Sequence, residues 1–196
     1  LGIQEPQTQL LKSLLASMYL YQGKYEKAEK EYLETLNWIE ETAGSDSLRL
    51  AWHWTALSVA RAGQGKYSDA YNDCGRAMQV YTNLSLNTSK EYANLVYRRG
   101  IVALLMGDLE NAELLLRESS ILSKKMLGSH NPRATWSAYD LGFVLSITDS
   151  SDSYRKQKKV LDYIENLDSR YTKLLELPIR RRILSLEEIL QLKKNA

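Results

Sequence analysis

Residues 14–36, LLASMYLYQGKYEKAEKEYLETL, set the architecture of this chain, because their residue types return downstream at a fixed interval. Small residues stand at Ala16, Ser58, Gly100 and Gly142, each 42 positions after the last, where one helix must approach its neighbour closely. Gly23, Gly65 and Gly107 keep the same interval, each seven residues after its small residue, where a helix ends in a left-handed turn. Ala28, Ala70 and Ala112 mark the period a third time. Three marks on one period define stacked helix-turn-helix units, since an internal period of about 20 to 50 residues is the signature of a solenoid.

Within one unit the order Leu15-Ala16, Tyr19, Gly23, Tyr25, Ala28, Tyr32, Leu36 resembles the tetratricopeptide repeat. The usual unit of that family has about 34 residues, so the 42-residue spacing implies longer helices and a loop between repeats. This long form is similar to the repeats of kinesin light chains and related bacterial and fungal regulators. The junction Leu127-Gly128-Ser129-His130-Asn131-Pro132 fits it, as a Leu-Gly-x-x-x-Pro connection is common there. The resemblance covers roughly residues 9–165 and implies an all-α, right-handed α-solenoid of about four helix-turn-helix units with C-terminal capping helices. The fold alone does not specify an activity, since function lives in sites grafted on it.

Residues 1–8 read as a polar lead-in containing Pro6, and residues 9–175 as the repeat domain. Its repeats fall at about 9–47, 48–89, 90–132 and 133–175. The pattern predicts helices over 8–21 and 25–42, 48–63 and 67–83, 90–106 and 109–127, and 133–148, with Asp108 as the N-cap of the sixth. The fourth repeat is degenerate: residues 149–153 replace the Gly turn, and a long amphipathic helix is predicted over 154–175. Residues 176–196 form a basic C-terminal segment in which Pro178 interrupts the helix and Ser185 with Glu188 forms a capping box.

With 196 residues, 44% of them hydrophobic, the chain is long enough for one domain with a continuous core. It has no apolar run of about 18 residues that would span a membrane and no signal peptide. Its start at Leu1 rather than Met reads as an excised domain or mature fragment. Cys74 is the only cysteine, which excludes an intrachain disulfide and points to the cytoplasm or another reducing compartment. It takes the place of Tyr32 one period on and is read as core. From Arg155 onward there are 11 Lys plus Arg against 6 Asp plus Glu, while the preceding residues carry 15 against 18. That is too thin for a nucleic-acid footprint, which needs a denser basic stripe. Arg180, Arg181 and Arg182 are the one cationic cluster, read as a contact for an acidic partner or anionic membrane, or as a solvated linker.

The resemblance implies that one face of each first helix lines a concave wall holding extended or helical peptides. By offset from the small residues, those positions are Leu10, Ser13, Ser17, Leu20 and Tyr21 in the first repeat, and Trp52, Thr55, Val59 and Ala62 in the second. The third offers Asn94, Tyr97, Arg98, Ile101 and Leu105, and the fourth Trp136, Tyr139, Asp140, Phe143 and Ser146. Trp52, Thr55, Asn94, Tyr97, Arg98, Ile101, Trp136, Tyr139 and Phe143 are the candidate peptide-binding residues. Aromatic rings supply pockets, while Asn94 and Arg98 could hold a peptide backbone or carboxylate. The alternatives are that each Trp packs between helices and that Arg98 pairs with Asp140. Trp54 is assigned to the core.

The carboxylate clamp of the chaperone-binding members is incomplete here, with Lys12 one place early, Ser17 for the expected Asn, and Ala56 and Val59 in the second repeat. His53 and His130 lack ligand spacing, and no phosphate-cradling Gly loop, HExxH or GxSxG occurs. The expectation is a non-catalytic adaptor or scaffold with a protein or peptide partner and no cofactor. The regulatory half of a larger peptide receptor and an RNA-binding helical repeat are the alternatives.

Overall fold

The computed structural model describes residues 4–43, 47–128 and 132–148. Among the described residues seven helices run in order: α1 (Gln4–Tyr21), α2 (Tyr25–Ala43), α3 (Leu48–Gly63), α4 (Tyr67–Asn83), α5 (Lys90–Met106), α6 (Leu109–Leu127) and α7 (Pro132–Thr148). There is no strand among the described residues. The bounds of α3 to α6 are those the repeat predicts. At the N-terminus the lead-in is shorter than expected, because residues 4–8 already belong to α1. Pro6 is tolerated there, since the first-turn N–H groups have no intrahelical acceptor and the missing donor costs nothing. The degenerate helix over 154–175, the Pro178 break, the arginine cluster and the capping box lie outside the described residues.

The helices cluster in two compact units, divided between Thr88 and Ser89. In the first, α1 packs on α2, α2 on α3 and α3 on α4. In the second, α5 packs on α6, α6 on α7, and α5 also meets α7.

Turn chemistry ends the first helix of each complete pair. Gly65 has φ +79°, Gly65 N–H donates to Ala62 O at 3.0 Å and Lys66 N–H to Arg61 O at 2.9 Å, the paired bonds of a Schellman motif. Gly23 and Gly107 close their helices in the same way. Gly65→Ala is expected to cost about 1 kcal/mol, the penalty of a Cβ in the left-handed region. A urea midpoint equal to that of the parent would refute this. At the helix starts, Ser47 accepts from Arg49 N–H at 3.2 Å, Ser89 from Tyr92 N–H at 3.1 Å and Asp108 from Asn111 N–H at 3.1 Å.

The repeated small residues lie where helices meet. Ala16, Ala28, Ser58, Ala70, Gly100 and Ala112 are buried. A Cβ at Gly100 would stand 3.0 Å from Leu116 Cγ, so α5 and α6 approach as closely as a glycine permits. Gly142 keeps the period but meets nothing within 4 Å, and the residues predicted to form the second helix of its repeat lie outside the described ones. Cys74 and Trp54 are core residues, the latter under the Arg76 guanidinium, 4.5 Å from the ring centroid.

Candidate functional site

In the first unit, Trp52 is 62% exposed on α3, whereas Trp54, Leu57 and Val59 on the same helix are buried. The indole therefore offers a large apolar surface to a partner. Thr55, half-buried, donates its hydroxyl to Ala51 O at 2.7 Å.

Ser13 and Ser17, expected on the peptide-facing wall, are instead drawn into contacts between helices. Ser13 Oγ lies 2.8 Å from His53 Nε2, and Ser17 Oγ lies 2.9 Å from the Tyr32 hydroxyl. His53 Nδ1 sits 2.7 Å from Arg49 O. A carbonyl can only accept, so Nδ1 carries the proton. Burial lowers the His53 pKa and favours the neutral ring, so Nε2 is an acceptor that competes with Gln9 O, 2.9 Å from Ser13 Oγ, for the one hydroxyl proton of Ser13. The edge of Tyr32 packs on the His53 ring at 5.9 Å between centroids. His53 is thus a structural tie between α1, α2 and α3. The sequence carries no sign of this role, because its partners on the other helices lie 21 and 40 residues away.

A second polar cluster joins α2, α3 and α4. Arg61 Nε donates to Glu29 Oε1 at 2.9 Å, and Arg61 Nη1 donates to both Asp73 oxygens at 2.9 and 3.0 Å. Glu29 Oε2 also accepts from Gln64 Nε2 at 2.7 Å and Lys66 Nζ at 2.8 Å. Burial pushes the Glu29 carboxyl up, but Lys66, Arg61 and Gln64 outweigh it and hold the pKa at about 2. Burial dominates at Asp73 and raises it to about 6 against the pull of Arg61. Lys12, a partial match to a clamp lysine, is engaged by Glu34 Oε2 at 2.6 Å.

In the second unit, the Tyr97 hydroxyl donates to Asp140 Oδ2 at 2.6 Å and ties α5 to α7. Asp140 is therefore engaged by the tyrosine next to Arg98 in sequence. Asn94, Tyr97, Arg98, Trp136 and Tyr139 are half-buried. Ile101 and Phe143 are buried, which leaves little of either side chain for a ligand. None of the described helices is long and apolar enough to cross a membrane.

A family model described as the tetratricopeptide repeat matches residues 7–83. The match spans these residues alone, and the chain has an all-α helical-repeat fold like that of the solved structures it resembles. Among solved structures, the chain is similar to BtubC (BKLC) from P. vanneervenii, at 18% identity and a TM-score of 0.67. That match covers 84% of this chain, which spans 64% of the length of BtubC. Two structures of kinesin light chain nearly identical TPR-like repeats from Podosopora anserina match at 15% identity and a TM-score of 0.66, covering 96–97% of this chain and 93% of theirs. No curated protein matches.

Proposed function

We propose that this chain is a non-catalytic protein-protein interaction domain, an adaptor or scaffold module that offers a peptide segment or partner helix one face on α3 in the first unit and a separate face on α5 and α7 in the second. The observation that carries this reading is Trp52, which is largely solvent-exposed on a helix whose Trp54, Leu57 and Val59 are buried. Exposed tryptophans are costly to keep in water and dominate binding energy where a partner covers them. Asn94, Tyr97 and Arg98 with Trp136 and Tyr139 give the second unit a mixed polar and aromatic lining of the same kind. A tetratricopeptide fold is generally an interaction scaffold, which supports a protein ligand over a nucleic acid. The buried thiol of the lone Cys74 is compatible with a reducing compartment such as the cytoplasm.

Affinity mass spectrometry comparing the parent with a Trp52→Ala, Arg98→Ala, Trp136→Ala triple variant tests the reading, with circular dichroism to verify folding. Partners held on these faces should be depleted by about 30-fold or more, the equivalent of a single strong hot spot. An unchanged partner list from a folded variant would refute it.

A further inference from the structure

The second helix of each repeat carries one pair of places that stays in water. Lys30 and Asn37 on α2, Asn72 and Gln79 on α4, and Leu114 and Ile121 on α6 are equivalent by the 42-residue period, and all are exposed. On α2 the pair is exposed although the next repeat, α3 and α4, follows it; on α4 it is exposed although the previous repeat, α1 and α2, precedes it. Stacking of repeats on either side therefore leaves these places open. The first two pairs are polar, as an outer helix face is. The third is apolar, with Leu114 59% and Ile121 61% exposed.

The charges around Leu114 and Ile121 indicate what covers them. Glu110, Leu114, Glu118, Ile121 and Lys125 follow one another at intervals of three or four residues and so share one stripe of α6, with Arg117 beside Glu118. Reversing the helix about the midpoint between Arg117 and Glu118 exchanges Glu110 with Lys125, Leu114 with Ile121 and Arg117 with Glu118. Each acid then meets a base, and each apolar residue meets an apolar one. The helix macrodipole accounts for acid at the start and base at the end, but not for two exposed apolar side chains between them. Arg117 is held by Glu113 at 2.8 Å within the chain, whereas among the described residues the side chains of Glu110 and Lys125 make no ion pair.

We propose that the outer face of α6 is a homodimer interface. A second copy lays its own α6 antiparallel on this one about a two-fold axis between Arg117 and Glu118, with Leu114 against the partner's Ile121 and Glu110 against the partner's Lys125. The two-fold makes the contact isologous, so every pair occurs twice. One helix face is a small patch, which makes the dimer weak and leaves dilute chain monomeric. None of the residues assigned to partner binding above lies on α6, so failure of this interface and failure of that function are distinguishable.

Sedimentation velocity of the full chain over a concentration series tests the proposal, and the sedimentation coefficient should rise from monomer to dimer. Leu114→Asp should abolish the rise. Leu114 is exposed, so no core contact is lost, and circular dichroism verifies that the variant stays helical. Glu110→Lys and Lys125→Glu should each weaken association by about tenfold, because symmetry turns two attractions into two repulsions. Mixing the two variants should restore it, since opposite charges then face each other at both ends of the helix pair. Both changes in one chain should restore it as well. A chain that stays monomeric throughout, association unmoved by Leu114→Asp or by either charge change, or charge variants that do not rescue one another would overturn the proposal.

Discussion

Arg61→Ala is expected to destabilise the protein by about 3 kcal/mol at pH 7, the lower end of the cost of removing one partner from a buried ion pair. Asp73 is buried on α4 and takes both of its bonds to Arg61 through Nη1. Without that guanidinium its charge has no comparable partner, whereas Glu29 keeps Gln64 and Lys66. The lower end is chosen because Arg61 retains some contact with water. Acid separates the two carboxylates. Asp73, raised to about 6 from an ordinary 3.8, binds a proton in the folded state before the unfolded chain does, so its share of stability increases as pH falls from about 6 toward 3.8. Glu29, lowered to about 2 from 4.5, contributes stability that is complete above 4.5 and is lost as pH falls toward 2. Removing Arg61 removes what holds Asp73 down, so the variant should recover part of its deficit between pH 7 and 5. An Arg61→Leu, Asp73→Leu pair should cost less than Arg61→Ala, because it removes the buried Asp73 charge along with its partner and leaves Glu29 to Gln64 and Lys66. Urea unfolding at pH 7 and 5 measures all of this. A deficit for Arg61→Ala within 0.5 kcal/mol of zero, the range of ordinary surface changes, would remove the ion pair from the account.

The parts of this structure legible in the sequence are those that repeat. Gly65 and Gly107 announce their turns because a left-handed residue selects glycine at a fixed offset, and Cys74 is placed in the core by its register with Tyr32. Asp108 shows itself as an N-cap from its neighbours alone. What escapes is whatever depends on the register between helices. Nothing local says that Ser13 meets His53 rather than a peptide, or that Arg61 collects carboxylates from two other helices. Arg61 breaks the period, with Tyr19 before it and Ala103 after it, and such a departure is the signal that could have drawn attention to it. The candidate interaction residues divide the same way: offset from the small residue picks the helix face that leaves Trp52 open, but it cannot tell that Ile101 and Phe143 are buried. The early start of α1 was hidden by Pro6, whose cost disappears in a first turn.

Leu116→Ala should cost about 3 to 4 kcal/mol, within the range for a fully buried leucine whose cavity the surroundings cannot refill. Leu116 is buried on α6, and its Cγ lies where a Cβ on Gly100 would come within 3.0 Å. That contact makes the partner substitution informative. Gly100→Ala alone sets a gain in helix propensity of about 1 kcal/mol against a tight contact with Leu116 and Leu115, and the two nearly cancel. In the Leu116→Ala background the contact with Leu116 is relieved, leaving only the 3.2 Å approach to Leu115 Cβ, and the new methyl borders the vacated space. The double variant should therefore be more stable than the sum of the singles predicts, by about 1 kcal/mol, the coupling expected of residues in contact. Leu114→Ala, on the same helix but exposed, is the control and should stay within about 0.5 kcal/mol of the parent. Additivity of the Gly100 and Leu116 changes in urea unfolding would mean that α5 and α6 are held apart by something other than this pair. The recurrence of small residues every 42 positions would then need a cause other than close packing at this junction.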